Sequence, residues 1–299
     1  MNLQLDDVAL FVRIVELGSL SAAARERHAP VSQVTRALAR LESTCDTRLL
    51  HRTTHGLSLT DEGDAFLAHA RRLLAARDDL QGDLGGRRGG PSGWVRLSVS
   101  PVLAQAVIAP SLPPLYEQHP QLHVELCADD RIVDMARDGI DIAIRTGSPA
   151  GDALVARPIG QLTRSLYASP AYLQRHGRPQ QMADLARHRL LANSVSPSLN
   201  RWAHGDPARP QQWVVSGHTR TDNTAVVLAL ALAGVGIARI VDLAAQAAVS
   251  RGELEPLLRD EMLSPPVPMF AVMLQERHRL PKIRACIEHW AAWMQAPTG

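Results

Sequence analysis

Ser19-Leu20-Ser21-Ala22-Ala23-Ala24-Arg25, then Val31-Ser32-Gln33-Val34-Thr35-Arg36-Ala37-Leu38-Ala39-Arg40-Leu41-Glu42, then His51-Arg52-Thr53-Thr54, are the runs that decide the fold of the N-terminal part of this chain. The first two read as short helices joined by a tight turn. The third reads as one edge of a basic β-hairpin. Together they outline a winged helix-turn-helix, whose second helix is sized for the major groove of DNA. Ser19 and Ser21 offer N-caps, and Ala22 to Ala24 are strong helix formers small enough to let the next helix approach. Pro30 occupies a favoured first-turn position. Val31, Val34, Leu38 and Leu41 then form the expected buried stripe. The opposite face carries Ser32, Gln33, Thr35, Arg36 and Arg40.

Upstream, Asp6 is expected to cap a first helix in which Val8, Phe11, Val12 and Val15 repeat at i, i+3, i+4 and i+7, with Gly18 closing it in a left-handed conformation. Downstream, Arg48 to Leu59 alternates like a short wing. The net charge is only +2 over 299 residues, so the chain as a whole is no polycation. Between Arg25 and His55, however, stand six arginines (25, 27, 36, 40, 48 and 52) against Glu26, Glu42 and Asp46. A local basic patch on a near-neutral chain suits docking to phosphate. Gln33 can pair with adenine and Arg36 with guanine or phosphate. Ser32, Thr35 and Arg40 are expected to position the helix through the DNA backbone, with Ser21, Arg52 and Thr53 completing the candidate contacts.

Thr60 is a good N-cap for a long helix, with Asp61, Glu62 and Asp64 favouring its positive end. It is expected to end near Gly85-Gly86. Phe66, Leu73 and Leu80 recur every seven residues, with Ala70 and Leu84 on the same side, a stripe that predicts an intermolecular seam. Gly85 to Gly93 reads as a hinge by composition.

From Trp94 the pattern becomes strands alternating with helices. Strands are expected at 95–100, 122–126, 141–145, 165–168, 189–192, 236–240 and 269–273. Helices are expected at 104–118, 132–137, 170–176, from an Asp222 cap to Ala233, and at 281–294. Such alternation predicts a mainly parallel sheet with helices on both faces, arranged as two α/β lobes around a cleft. Ligands of open α/β sheets bind beyond the carboxyl ends of strands. That rule selects Ser100, Val102, Asp129, Arg145 and Thr146 in the first lobe, and Asn193 and Asn223 in the second. Arg145 and Ser100 suit an anion. Arg239 is either a second anion contact or an ion pair with Asp242.

The motifs place the chain in a family. Phe11/Ile14, Gly18-Ser19, Ala23-Ala24, Ser32, Thr35-Arg36, Leu41-Glu42, Leu49-Leu50, Arg52 and Leu59-Thr60 with Gly63 resemble the pattern of the LysR-type transcriptional regulators. Asp141 to Arg145 and Gly234 to Ala238 are similar to marks of their C-terminal half. The sequence departs in the turn, where Arg27 and His28 replace the usual Leu and Gly, and Pro30 replaces a common Ser. The resemblance implies an α/β chain in three parts: a winged helix-turn-helix over 1–60, a linker and dimerisation helix with hinge over 61–91, and an effector domain of the type 2 periplasmic-binding-protein fold over 92–299. Within the last, lobe I is expected at about 92–163 and 267–299 and lobe II at about 164–266. It also implies double-stranded DNA, a small anionic effector and a second copy of the chain as partners, a dimer or dimer of dimers, and contact with RNA polymerase.

Other classes fit less well. Hydrophobic residues at 45% and charged residues at 21% describe an ordinary globular chain, with no apolar run long enough to span a bilayer. The N-terminus has no signal-peptide pattern, so the cytoplasm is the expected location. Cys45, Cys127 and Cys286 are far apart and in no metal-binding spacing, and no metal or cofactor is expected. Gly234-x-Gly236 follows a helix instead of opening one and lacks a third glycine, so it is no dinucleotide fingerprint. Asp129-Asp130 are sequence neighbours whose side chains point apart, and no nucleophile elbow or phosphate loop is present, so an enzyme is not expected. A transport-associated solute-binding protein would account for residues 94–299 and leave the N-terminal part without a purpose.

Overall fold

Helix α1 (Leu5–Leu17) starts from Gln4 in extended conformation, and Asp6 lies inside its first turn instead of capping it. There the carboxylate still favours the positive end of the helix dipole. The computed structural model describes residues 3–53, 56–147 and 154–296, and within it Gly18 closes α1 at φ 63°. Ser19 caps α2 (Leu20–Glu26), accepting from the Ala22 N–H at 3.4 Å. The turn into α3 (Val31–Cys45) passes through His28 at φ 51°, with the Ala29 N–H bonded back to the Ala24 carbonyl at 2.9 Å. That is the left-handed closure glycine usually provides. The departure of Arg27-His28 from the family pattern therefore changes the residue and keeps the closure.

Val8, Phe11, Ile14, Val34, Leu38 and Leu41 bury the faces of these helices against one another. Val31 is the exception to the expected stripe: it is 44% exposed, because the buried row of α3 begins one turn later, at Val34. Strands β1 (Leu50–Thr53) and β2 (Gly56–Leu59) form the wing, paired from Leu50↔Leu59 to Thr53↔Gly56. Glu42 anchors it, accepting the Leu49 and Leu50 N–H groups at 2.9 and 3.2 Å. Thr60 caps α4 (Asp61–Gly89) through the Gly63 N–H and donates to the Arg48 carbonyl, both at 2.8 Å. Gly63 is required there, since a Cβ would meet the Leu49 carbonyl oxygen at 2.0 Å.

Helix α4 runs 29 residues and passes through Gly85 and Gly86 to Gly89, so the expected hinge shrinks to the few residues from Gly90, at φ 73°. Glycine lowers propensity, yet each residue added to a formed helix still gains a hydrogen bond. The first half of its heptad stripe serves its own unit. Phe66 packs edge-on against Phe11 at 5.3 Å, and Ala70 is buried in the same core. Leu73 and Leu80 remain 43% and 58% exposed. The side chain of Leu84 lies outside the described residues.

The chain separates into two units near Gly93. The second unit begins with β3 (Gly93–Val99) and a continuous helical run made of α5 (Pro101–Leu103), one π turn (Ala104–Ile108) and α6 (Ala109–Gln118). Next come β4 (Leu122–Ala128), β5 (Ile142–Thr146) and β6 (Leu154–Leu162). Residues 132–134 have no regular structure and 135–139 form a turn, in place of the helix expected at 132–137, and Ile132 is 94% exposed. The chain continues through β7 (Arg164–Ala168), α7 (Pro170–His176), β8 (Leu191–Asn193), β9 (Arg201–His204), β10 (Gln211–Val214), β11 (Thr219–Thr221) and α8 (Thr224–Leu232). It ends with β12 (Ala238–Val241), α9 (Asp242–Ser250), β13 (Glu255–Leu257), β14 (Val267–Leu274) and α10 (Pro281–Gln295).

One sheet has the order β4-β3-β5-β14-β6, and a smaller one the order β12-β7-β13 beside the pair β11-β8. Strand β14 returns from late in the chain to complete the larger sheet. It runs antiparallel to both β5 and β6, while β3 and β5 are parallel. The sheets are thus mixed, and the expectation of a mainly parallel sheet is corrected. A returning strand that enters from the opposite end of a sheet must pair antiparallel. Val95, Leu97, Ile142, Met269, Met273 and Trp290 centre the core of the first lobe, and Leu166, Tyr172, Ile237 and Trp202 that of the second.

Candidate DNA-reading face and ligand cavity

On the N-terminal unit, Ser21, Ser32, Gln33 and Arg36 are exposed and Thr35 is half-buried. Arg36 spends only its Nε–H on the protein, on the Ser32 carbonyl one turn back at 3.3 Å. Its terminal nitrogens face solvent with Gln33, a donor set suited to base edges and phosphate. Val31, read from the sequence as core, joins this exposed face. Arg40 is exposed as well, but its guanidinium is already engaged, gripping the buried carboxylate of Asp7 bidentately at 2.7 and 2.6 Å. The pair ties α3 to α1, and that is where its charge is used. The backbone of Arg52 and Thr53 lies on β1, and their side chains are outside the described residues.

The second unit holds a cavity of about 420 Å³ between its two lobes, within the usual range for small-molecule sites. Ser100, Val102, Asp129, Arg145, Thr146, Asn193 and Arg239 all line it, brought together from the ends of β3, β4, β5, β8 and β12. Asn223 does not. It caps α8, accepting from the Ala225 and Val226 N–H groups at 2.9 and 3.2 Å, a role the sequence reading gave to Asp222. Its neighbour Thr224 faces the cavity instead and joins the lobes: its N–H and hydroxyl donate to Asp130 at 2.5 and 3.0 Å, and its hydroxyl accepts from the Val102 N–H at 3.4 Å. Burial holds Asp130 above the usual carboxylate range, against the pull of those two hydrogen bonds.

Arg145 is a wall residue whose donors are largely committed. They reach the Ile144 carbonyl at 2.9 Å, the Ser98 hydroxyl at 2.8 Å and the Ser98 carbonyl at 3.3 Å. Arg239 donates to the Arg201 carbonyl at 3.3 Å and feels the charge of Asp242 without a direct ion pair, the Asp242 oxygens accepting from the hydroxyls of Thr163 and of Tyr167, the latter at 2.9 Å. Arg164 also lines the cavity. Sequence reasoning missed it because Arg164 opens a strand instead of ending one. Burial depresses the basicity of Arg145, Arg164 and Arg239 alike. Among the described residues, no group of His, Cys, Asp and Glu is arranged to hold a metal ion. Cys286 is buried, which pushes its thiol up to about 12, and Cys45 is shifted upward for the same reason, the opposite of a reactive thiolate. No helix among the described residues is long and apolar enough to cross a membrane.

A DNA-reading face in one unit and a ligand-sized cavity between two lobes in the other define a ligand-responsive transcription regulator by architecture. Residues 5–64 match the family model for the bacterial regulatory helix-turn-helix protein, lysR family, and residues 88–295 match the LysR substrate binding domain. The chain belongs to the LysR-type transcriptional regulators. It is 31% identical to the transcriptional activator TtdR of Escherichia coli (strain K12), over 98% of this chain and 94% of that one. It is 30% identical to a transcriptional regulator of Xanthomonas campestris, over 96% of this chain and 85% of that one. Among solved structures it is similar to CrgA of Neisseria meningitidis, with a TM-score of 0.65 and 27% identity over 98% of this chain and all of that one. It is also similar to the Vibrio cholerae virulence activator AphB, with a TM-score of 0.63 and 27% identity over 97% and 99%. A helix-turn-helix match that spans the N-terminal part supports a regulator over a transport solute-binding protein.

Proposed function

We propose that the chain acts as a homodimer, or a dimer of dimers, that reads double-stranded DNA through α3 and answers to a small anionic molecule held between the lobes of its second unit. The observation that carries this reading is the cavity, with guanidinium groups of Arg145, Arg164 and Arg239 on its wall and a rim of hydroxyls and amides. The ligand acts by binding one lobe arrangement better than another, since equal affinity for both shifts nothing. Thr224, bonded across the lobes to Asp130 and Val102, stands where a change of lobe spacing registers first. The output is altered DNA bending or contact with RNA polymerase, and the protein works in the cytoplasm with no catalytic step of its own.

Gln33 and Arg36 contact DNA directly, and Ser21, Ser32, Thr35 and the wing residues Arg52 and Thr53 position the helix. The exposed Leu73 and Leu80 supply the dimer seam. A mobility shift on the DNA upstream of the chain's own gene tests the reading. The wild type is expected to bind a specific site there. Arg36→Ala is expected to lose roughly tenfold in affinity and about one unit of salt slope while its circular dichroism is unchanged. Unaltered affinity removes Arg36 from the interface, and absence of any specific site overturns the DNA reading. Replacing Leu73 and Leu80 together by Asp is expected to turn the dimer into monomer in sedimentation. A dimer that persists places the seam elsewhere.

A further inference from the structure

The three cavity arginines differ in what they already hold. Arg145 is anchored by three hydrogen bonds to Ser98 and Ile144. Arg164 has one, to the Thr146 hydroxyl at 3.3 Å, and Arg239 one, to the Arg201 carbonyl at 3.3 Å. Arg239 also buries an Nε–H with no acceptor. Neither Arg164 nor Arg239 forms an ion pair among the described residues, and the nearby Asp242 is occupied by Thr163 and Tyr167. The two guanidinium groups are close enough that the charge of Arg239, after burial, further lowers the basicity of Arg164. The charge of Asp242 reaches both and offsets part of this, yet it pairs directly with neither, and two buried guanidinium groups sharing one carboxylate leave room for a further negative charge in the cavity.

Asn193 adds an independent sign on the same lobe. It is 4% exposed and lines the cavity, and its Nδ2 is buried without an acceptor. Its orientation is settled by its other end, where Oδ1 accepts from the Val195 and Ser196 N–H groups at 2.9 and 2.7 Å. Flipping the amide would set donor against donor. The second-lobe wall therefore offers two guanidinium forks, each with one long hydrogen bond, together with an Arg239 Nε–H and an Asn193 amide N–H that have no acceptor. The first-lobe wall carries an apolar patch of Val133, Met135, Leu154 and Val272 beside polar residues that include Asp129 and Arg145.

We infer that the ligand is a carboxylic acid with an apolar body, whose carboxylate sits between Arg164, Arg239 and the Asn193 amide while its body lies on the first-lobe wall. This rests on the effector reading above and sharpens it: the acid head belongs to the second lobe, not to Arg145 and Ser100. A guanidinium fork matches a carboxylate bidentately, and a second, strongly hydrated carboxylate is disfavoured against the apolar patch and beside Asp129 and Asp130.

The test is isothermal titration of the full-length protein with benzoate, cyclohexanecarboxylate and octanoate, each against its neutral amide, and with succinate. At least one apolar acid is expected to bind, roughly tenfold or more tighter than its amide and than succinate. Arg164→Gln and Arg239→Gln are each expected to collapse the acid-to-amide ratio to within about threefold, whereas Arg145→Gln keeps it. The ratio is internal to each variant, so a change in overall stability does not imitate the result. Loss of the ratio in Arg145→Gln with its retention in the other two overturns the inference and leaves the anionic-effector reading standing. Equal binding of acids and amides removes the anion seat, and preference for succinate removes the apolar body. No binding by any probe, succinate included, up to about 10 mM overturns the inference and the anionic-effector reading together.

Discussion

In the N-terminal unit two arginines are matched to acids: Arg13 reaches Glu16 and Glu26 at 2.5 Å each, and Arg40 holds Asp7 at 2.6 Å. In the second unit Arg164 and Arg239 face a cavity, each with a single long hydrogen bond and, among the described residues, no direct ion pair. The matched arginines fasten helices, and the unmatched ones leave binding capacity that folding does not use. Arginine content alone does not separate the two cases. The separation lies in whether a carboxylate from a distant part of the chain arrives at the guanidinium.

The contrast can be broken at its strongest point first. Arg40→Ala leaves the Asp7 carboxylate, 8% exposed, without its countercharge. It is expected to lower the urea midpoint for unfolding of the N-terminal unit. Unchanged stability with weakened DNA binding would return Arg40 to the DNA face and erase the distinction. Arg164→Gln is expected to act in the opposite sense, raising the stability of the ligand-free protein by up to about 1 kcal/mol, because it removes a charge that folding leaves unpaired. A loss of stability in the thermal melt would mean that Arg164 is a structural tie. The smallest effect concerns the turn that differs from the family pattern. His28 at φ 51° carries a strain that glycine avoids, offset in part by the extra freedom glycine has when unfolded. His28→Gly is expected to gain about 0.5 kcal/mol in unfolding and leave DNA affinity within twofold of wild type. A large change in affinity would show that the imidazole itself touches DNA.

Most of the architecture was legible because it rests on local signals. Ser19 and Thr60 cap the helices they precede, and Gly18 ends α1 as a glycine with no Cβ can. The strands around 97, 124, 144, 167 and 271 announce themselves as β-branched and aliphatic runs. The failures share one cause. Val31, Arg40, Phe66, Ala70 and Asn223 were assigned by position on a helix, and each was decided by what packs or bonds from elsewhere. Val31 lies beyond the end of the buried row, and Arg40 meets a carboxylate 33 residues away. Phe66 and Ala70 complete the core around Phe11 instead of a seam between copies. Residues 132–137 were expected to be helical, and instead 132–134 are irregular and 135–139 form a turn. Gly63 shows the reverse: its identity was noted as part of a pattern, and its physical reason, the Leu49 carbonyl against its Cα, exists only in three dimensions.

The sequence by itself determined the periodicities, caps and turns, and through them a helix-turn-helix followed by a two-lobed α/β unit. These depend on each residue and its neighbours within a few positions. Only the tertiary structure decided which charges are spent and which remain. Arg145 is tied to Ser98, 47 residues away, while Arg164 and Arg239 come together from strands far apart in the chain and share the charge of Asp242 without pairing with it directly. Pairing of that kind depends on which strand ends the folded sheets bring side by side, and a linear sequence does not state those distances.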